Sequence, residues 1–395
     1  VVLIGNDDAI PFFRYPDPAP LGKESEYDIP IFENNHSNAS LTLDYVLSQD
    51  AYGASRQVNL QGSVLPIPEL AVGRLVETAA DINNMLAVYL SDADGIVTPD
   101  SSFISAYGFL EDGATAVETE LVEGLGTGGT VNTLISDADI PPSDPRSWTA
   151  SDLADGFLTQ RHDLVYLGGH FSHYTALAAD YTTRLDTAEF LASPVDFENV
   201  LIFSNGCHSG YNLVNPHAGI VEQLDWAQAF AQRGATFIGG TGYQYGDADL
   251  TEYGERLYLT FAQELRAAGP VSVGQALVAA KQEYLSDTGV EIDGVFEKTI
   301  LVSTLFGLPM FSIDLPGPPG TAVTLPTPVR ATTPVVDGPG LDLGLRTADI
   351  TVSTPTTPQT KTLTTTTDST TIEATYFEGA NGYTTRAGYP ILPLA

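Results

Sequence analysis

Apolar residues recur along this chain in two patterns. Runs such as Leu164–Leu167 and Val200–Ser204 are apolar at successive positions. Longer stretches such as Ala79–Leu90 and Val273–Leu285 space their apolar residues by three and four. Short continuous runs mark strands buried on both faces, and the spaced pattern marks amphipathic helices. On this basis strands are expected at Val1–Gly5, Leu70–Leu75, Phe103–Phe109, Thr130–Ile135, Leu164–Leu167, Val200–Ser204 and Thr236–Gly239. Helices are expected at Ala79–Leu90, Thr115–Gly124, Ala150–Gln160, Gln223–Arg233, Glu252–Ala268 and Val273–Leu285. Strand and helix alternate, which predicts an α/β sandwich around a mostly parallel central sheet. The opening run Val1–Gly5 reads as a buried strand, so the chain is expected to begin part-way through a longer polypeptide, with further domains beyond it.

The pattern changes near Leu315. Pro316-Gly-Pro-Pro-Gly320 is a cluster of breakers, and beyond it Thr and Pro dominate, as in Thr354–Pro358 and Thr362–Thr367. Ala348–Val352 and Thr371–Tyr376 fit strands of a small β-domain, and an extended Thr/Pro stalk is the alternative. The expected division is an α/β domain over residues 1–315, incomplete at its N-terminus, followed by a Thr/Pro-rich linker and partial β-domain over 316–395.

Composition narrows the partners. Of 395 residues, 50 are acidic and 16 basic, a formal net charge of −34. That field repels nucleic acid and anionic membranes and attracts basic peptides and cations. The lysines are Lys23, Lys281, Lys298 and Lys361 alone. An acidic, lysine-poor chain resembles proteins of salty habitats, where screening removes self-repulsion. With the Thr/Pro tail it points to an extracellular or cell-surface location. No apolar run is long enough to span a bilayer, so direct membrane insertion is not expected. The single cysteine excludes an intramolecular disulfide.

That cysteine ends an apolar run: Val200-Leu-Ile-Phe-Ser-Asn-Gly-Cys-His-Ser-Gly210. A lone cysteine is most often a buried structural thiol. Its small and polar neighbours, Asn205, Gly206, Ser209 and Gly210, suit an exposed turn at a strand's carboxyl end, where open α/β sheets place their ligands. A second run ends the same way, in Leu164-Val-Tyr-Leu-Gly-Gly-His170. A loop histidine satisfied by hydrogen bonds is the plain alternative. Were the two strands parallel neighbours, His170 and Cys207 would meet above the sheet edge. A thiol needs such a partner, because the thiolate is the nucleophile.

These two strand ends, with His before Cys, resemble the caspase-like cysteine peptidases. The Cys-His-Ser-Gly turn is similar to the nucleophile motif of the gingipain-like group. Three more stretches resemble that group: Val2-Leu-Ile-Gly-Asn-Asp-Asp-Ala-Ile-Pro11, Pro68-Glu-Leu-Ala-Val-Gly-Arg-Leu75 and Leu305-Phe-Gly-Leu-Pro-Met310. The resemblance spans about residues 1–313 and implies a caspase-like three-layer sandwich. It implies a cysteine endopeptidase, with Cys207 as nucleophile and His170 as general base. The oxyanion hole would use the N–H groups of Cys207 and Phe171, although the family has Gly where Phe171 stands. An acid from an earlier strand would orient the histidine, and Glu111, beside Asp112, is the candidate.

Tyr243, Tyr245 and Asp247 lie where the superfamily shapes the pocket for the residue before the cleaved bond. Aromatic walls with an acid would suit Arg or Lys there; a surface turn with incidental tyrosines is the alternative. No cofactor is required for the chemistry, but the resemblance implies structural calcium, for which Asp92, Asp94 and Asp100 are candidates without EF-hand spacing. Two rival readings stand beside the enzyme. One is a catalytically silent peptidase-fold domain of a surface, adhesion or structural protein, favoured by Phe171. The other is a zinc site from His170, His173, Cys207 and His208, which has the right residue types but no Cys-x-x-Cys.

Overall fold

The computed structural model describes residues 1–27, 36–60, 63–91, 95–213, 223–288 and 293–320, with short strands at Arg346–Ala348, Gln359–Thr364, Thr371–Tyr376 and Ile391–Pro393. Its centre is an eight-stranded sheet. In chain order the strands are β1 (Val2–Ile4), β2 (Gly73–Leu75), β3 (Ser101–Ala106), β4 (Thr130–Ile135), β5 (Leu164–Gly169), β6 (Leu201–Gly206), β7 (Thr236–Gly240) and β8 (Ser303–Phe306). Across the sheet they lie in the order β1-β2-β8-β7-β6-β5-β3-β4. Every pairing is parallel except β7 with β8.

The continuous apolar runs are explained by burial on both faces. On β5, Leu164 and Tyr166 enter one core while Val165 and Leu167 enter the other; on β6, Leu201 and Phe203 oppose Ile202 in the same way. The first core is closed by α2 (Glu111–Leu125), α5 (Tyr253–Glu264), α6 (Val273–Thr288) and α7 (Gly294–Val302). The second is closed by α1 (Ala79–Ser91), α3 (Ala150–Leu158) and α4 (Trp226–Gln232). Each fully buried Leu, Ile or Phe side chain contributes roughly 1.5–3 kcal/mol, so these central strands are strongly held. The result is the expected α/β arrangement of helices on a mostly parallel sheet.

The differences from the sequence reading have physical causes. The opening strand is an edge strand, paired only with β2, with Leu3 buried but Ile4 57% exposed. The strand expected over Phe103–Phe109 stops at Ala106, and Gly108–Leu110 is a single 3-10 turn leading into α2. That helix starts four residues early because Glu111 and Asp112 suit the positive end of its dipole. The α4 helix starts late because Asp225 caps it, accepting the Gln228 N–H at 2.8 Å. Helix α7 and strand β8 were not anticipated. Ile300–Phe306 is apolar almost throughout, and periodicity cannot divide such a run between helix and strand.

Arg74 joins the three stretches Val2–Pro11, Pro68–Leu75 and Leu305–Met310. It is fully buried on β2, and its Nη1 donates to Gly5 O and Ile10 O, both at 2.8 Å. Its backbone pairs with Phe306 on β8, and its carbonyl accepts the Gly307 N–H at 2.9 Å. The three stretches therefore converge on one structural corner. In the C-terminal segment, Thr371–Tyr376 is a strand, paired antiparallel with Gln359–Thr364.

Candidate active site at the carboxyl edge of the sheet

Strands β5 and β6 are parallel neighbours. Their register runs from Leu164↔Leu201 to Gly169↔Gly206. His170 and Cys207 are the next residues on each chain. Strand order reverses beside β5: β3 leads outward to β4, whereas β5, β6 and β7 progress the other way. His170 thus stands at a topological switch point, the usual place for a ligand in an open α/β sheet. Its ring lies edge-on to Tyr107 and Tyr181, at 5.1 and 5.3 Å between centroids, with Phe109 at 5.9 Å.

After His170 the chain folds into a tight hairpin. Leu177 N–H donates to His170 O at 2.9 Å, and Ser172 N–H to Thr175 O at 2.9 Å. Phe171 opposes Ala176 between these bonds. Neither bond uses the Phe171 N–H, which is the property an oxyanion donor needs. The Phe171 side chain turns inward. A Cβ on Gly206 would stand 2.6 Å from its Cγ, so the missing side chain at 206 is what makes room for the ring. The hairpin tip is held by Trp226 N–H, which donates to His173 O at 2.8 Å.

Cys207 is fully buried. Its Sγ lies 3.2 Å from both the backbone nitrogen and the carbonyl oxygen of Gln244, one a donor to sulfur and the other an acceptor. The chain then turns sharply through His208, whose φ of 55° is left-handed and strained for a side chain of this size. His208 is also fully buried, and its Nε2 lies 2.9 Å from Glu24 Oε2.

Glu24 belongs to a buried ionic cluster. Lys298 Nζ, on α7, lies 2.6 Å from Glu24 Oε1, 2.8 Å from Asp17 Oδ2 and 2.7 Å from Gly22 O. Burial raises the Glu24 carboxyl, but Lys298 and His208 together outweigh it and hold it at about 2. Burial wins at Asp17, which is raised despite Lys298. Burial likewise lowers His208, partly offset by Glu24, whose carboxylate its Nε2 faces.

Of the residues expected to bind substrate, Tyr243 and Tyr245 face this cluster. Lys298 Nζ lies 5.2 Å from the Tyr243 ring centroid and 5.8 Å from that of Tyr245. Tyr245 is fully buried, and its hydroxyl donates to Leu21 O at 2.7 Å. Asp247 is buried too; its Oδ1 accepts the N–H groups of Asp249 and Leu250. Aromatic walls and acids do surround a lysine here, but the lysine is the chain's own.

Glu111 sits in the first turn of α2, and its Oε2 accepts the Ala138 N–H at 2.8 Å. Asp100 immediately precedes β3, its N–H donating to Asp163 Oδ2 at 3.0 Å. Asp92 and Asp94 lie outside the described residues. The zinc alternative is corrected by the geometry: His173 Nδ1 is bonded to the Tyr27 hydroxyl and His208 Nε2 to Glu24. Among the described residues no group of three or more His, Cys, Asp or Glu side chains could hold a metal ion.

Sequence reasoning missed Glu24, Tyr27, Gln244 and Lys298. Lys298 had a readable signal, a lone cation inside the apolar helix Gly294–Val302. Glu24 and Tyr27 had none, because they reach the site from far away in sequence.

No protein-family model matches the chain. No curated protein matches it either. Among solved structures, the chain is similar in part to the separase–securin complex of Saccharomyces cerevisiae, with 12% sequence identity and a TM-score of 0.41. The likeness covers 62% of this chain and 14% of that one, so it spans only a small part of the longer molecule. At that score and identity it carries no conclusion about activity.

Proposed function

We propose that the protein is a cysteine endopeptidase in which His170 and Cys207 form the catalytic pair. The observation that carries this is the register: two adjacent parallel strands end at Gly169↔Gly206, and the base and the nucleophile follow on the same edge. His170 takes the thiol proton as Sγ attacks the peptide carbonyl, giving a tetrahedral oxyanion. The N–H groups of Phe171 and Cys207 are the proposed donors to that oxygen. The C–N bond then breaks, His170 returns the proton to the leaving amine, and water hydrolyses the thioacyl bond. Because Cys207 is fully buried, acylation requires the Gln244 turn to move off the sulfur.

The gingipain-like assignment and a preference for Arg or Lys are finer parts of the same proposal. The acidic net charge supports attraction of basic peptides. Tyr243 and Tyr245 add little to that preference while they enclose Lys298. A silent peptidase-fold domain is the second reading, and the burial of Cys207 favours it.

Affinity labelling separates the two. A peptidyl-Arg or peptidyl-Lys acyloxymethyl ketone should add once, at Cys207, by intact mass. His170→Ala should abolish the adduct while leaving the circular dichroism spectrum unchanged. Labelling that survives His170→Ala, or wild-type protein that never labels, would count against the enzyme.

A further inference from the structure

We propose that Tyr27 is a positioning residue for the His170–Cys207 pair, clamping the hairpin that carries the base to the turn that carries the nucleophile. This rests on the catalytic reading above and adds to it a residue from outside both strands. Strand register fixes the bases of the two loops, but the ladder stops at Gly169↔Gly206. Beyond that point, the spacing of the two side chains depends on what joins one loop to the other.

Tyr27 touches both. Its ring stacks on His208, the residue after Cys207, with centroids 3.5 Å apart and planes 9° from parallel. Its hydroxyl lies 2.7 Å from His173 Nδ1 and accepts the His173 N–H at 3.2 Å. His173 is at the tip of the hairpin that begins at His170. The hydroxyl accepts the backbone N–H and shares one further hydrogen with Nδ1, so Tyr27 is joined to His173 at two points whichever ring nitrogen carries the proton. Burial, and then the neighbouring His208, push His173 down to about 3, in keeping with a neutral ring.

The clamp is itself anchored. Tyr27 closes the one-turn helix Glu24–Glu26, its N–H donating to Glu24 O at 3.2 Å. Glu24 is locked by Lys298 and His208, and its Oε1 also accepts the Tyr243 N–H at 3.0 Å. Tyr211 and Tyr243 meet the Tyr27 ring edge-on, both at 6.3 Å. The groups facing Tyr27 are thus His173, Tyr174, Cys207, His208, Tyr211 and Tyr243, with Glu24 behind them. A hydroxyl that reads one loop and a ring that reads the other make Tyr27 more than core filler.

The test is the pH profile of Cys207 alkylation by iodoacetamide, on the full chain, for wild type, His170→Ala and Tyr27→Phe. The phenylalanine keeps the stack and the volume, so access to sulfur is unchanged. Any residual access effect would scale the rate equally at every pH, whereas loss of His–Cys coupling moves the inflection. Tyr27→Phe should slow alkylation at neutral pH by about threefold to tenfold, the net worth of one hydrogen bond, and shift the inflection toward that of His170→Ala. If wild type and His170→Ala coincide, the catalytic pair itself fails. If they differ and Tyr27→Phe overlays wild type, the pair stands and the clamp is overturned. Should Tyr27→Phe fold poorly, the imidazole nitrogen shifts of wild-type His173 decide. An Nδ1 shift displaced by hydrogen bonding, whichever ring nitrogen carries the proton, supports the clamp, and the shift of an Nδ1 without a hydrogen bond refutes it.

Discussion

Replacing Lys298 by Met tests the ionic cluster beneath the candidate site. Lys298 is fully buried, with Asp17, Glu24 and the Gly22 carbonyl as partners. Methionine matches the stem in volume, so the change removes charge with little loss of packing. Two carboxylates would remain in the interior without a cation. Breaking a buried pair from one side costs roughly 3–5 kcal/mol, against a typical total stability of about 5–15 kcal/mol. An independent route gives a similar figure for Glu24. Its carboxyl is held at about 2 against an ordinary 4.5, a difference worth about 3 kcal/mol. The sign is that of a depressed acid: this contribution is present above pH 4.5 and is lost as the pH falls through about 2. Asp17, raised by burial, works in the opposite direction and trims the net effect. Equilibrium urea unfolding, followed by the fluorescence of Trp148 and Trp226, measures the loss. Lys298→Met should lower stability by the amount above at neutral pH. Adding Asp17→Asn and Glu24→Gln should restore most of it, because the stranded charges are then gone. A loss below about 1 kcal/mol, or a triple variant no better than the single one, would refute a tightly held buried cluster.

Three further outcomes are expected. Gly206→Ala should drive a methyl into the Phe171 ring and cost about 1–3 kcal/mol in thermal or urea unfolding, and Phe171→Gly in the same chain should relieve it; an unaffected single variant would contradict the packing. His173, lowered to about 3 from an ordinary 6.5, contributes stability above pH 6.5 that fades as the pH falls toward 3, by roughly 5 kcal/mol at most. Wild type should therefore lose more stability than His173→Gln over that window, and parallel pH curves would argue against a buried neutral ring. With a net charge of −34, the midpoint of thermal unfolding should rise as added salt shortens the Debye length from about 30 Å to about 3 Å, and a midpoint that falls would show that self-repulsion is not a significant term.

How much of this was legible in the sequence varies by element. Strands β5 and β6 were readable because burial on both faces makes them continuously apolar, and their glycine-flanked ends marked His170 and Cys207. Their adjacency was a conjecture that the register now bears out as a placement. Phe171 looked like a defect in a family pattern, yet its side chain occupies the space that Gly206 leaves. Tyr243 and Tyr245 were expected as walls of a pocket for a substrate Arg or Lys. Pattern alone could not show that Lys298, far along the chain, already lies between them. Tyr27 and Glu24 were unreadable for the same reason: their importance is tertiary, set by partners more than a hundred residues away. The stretches that resemble the gingipain-like group meet around Arg74 in the fold.

The central claim is that His170 and Cys207 act as a coupled pair, and thiolate absorbance in the ultraviolet measures this directly because Cys207 is the chain's single cysteine. Titrated from acid to mildly alkaline pH, wild type should show thiolate appearing at least one unit below the free-thiol value of about 8.5, and His170→Ala should move that midpoint upward. A midpoint at or above about 8.5 that is the same in both proteins would mean that the histidine does not act on the sulfur, and the peptidase reading would fall with it.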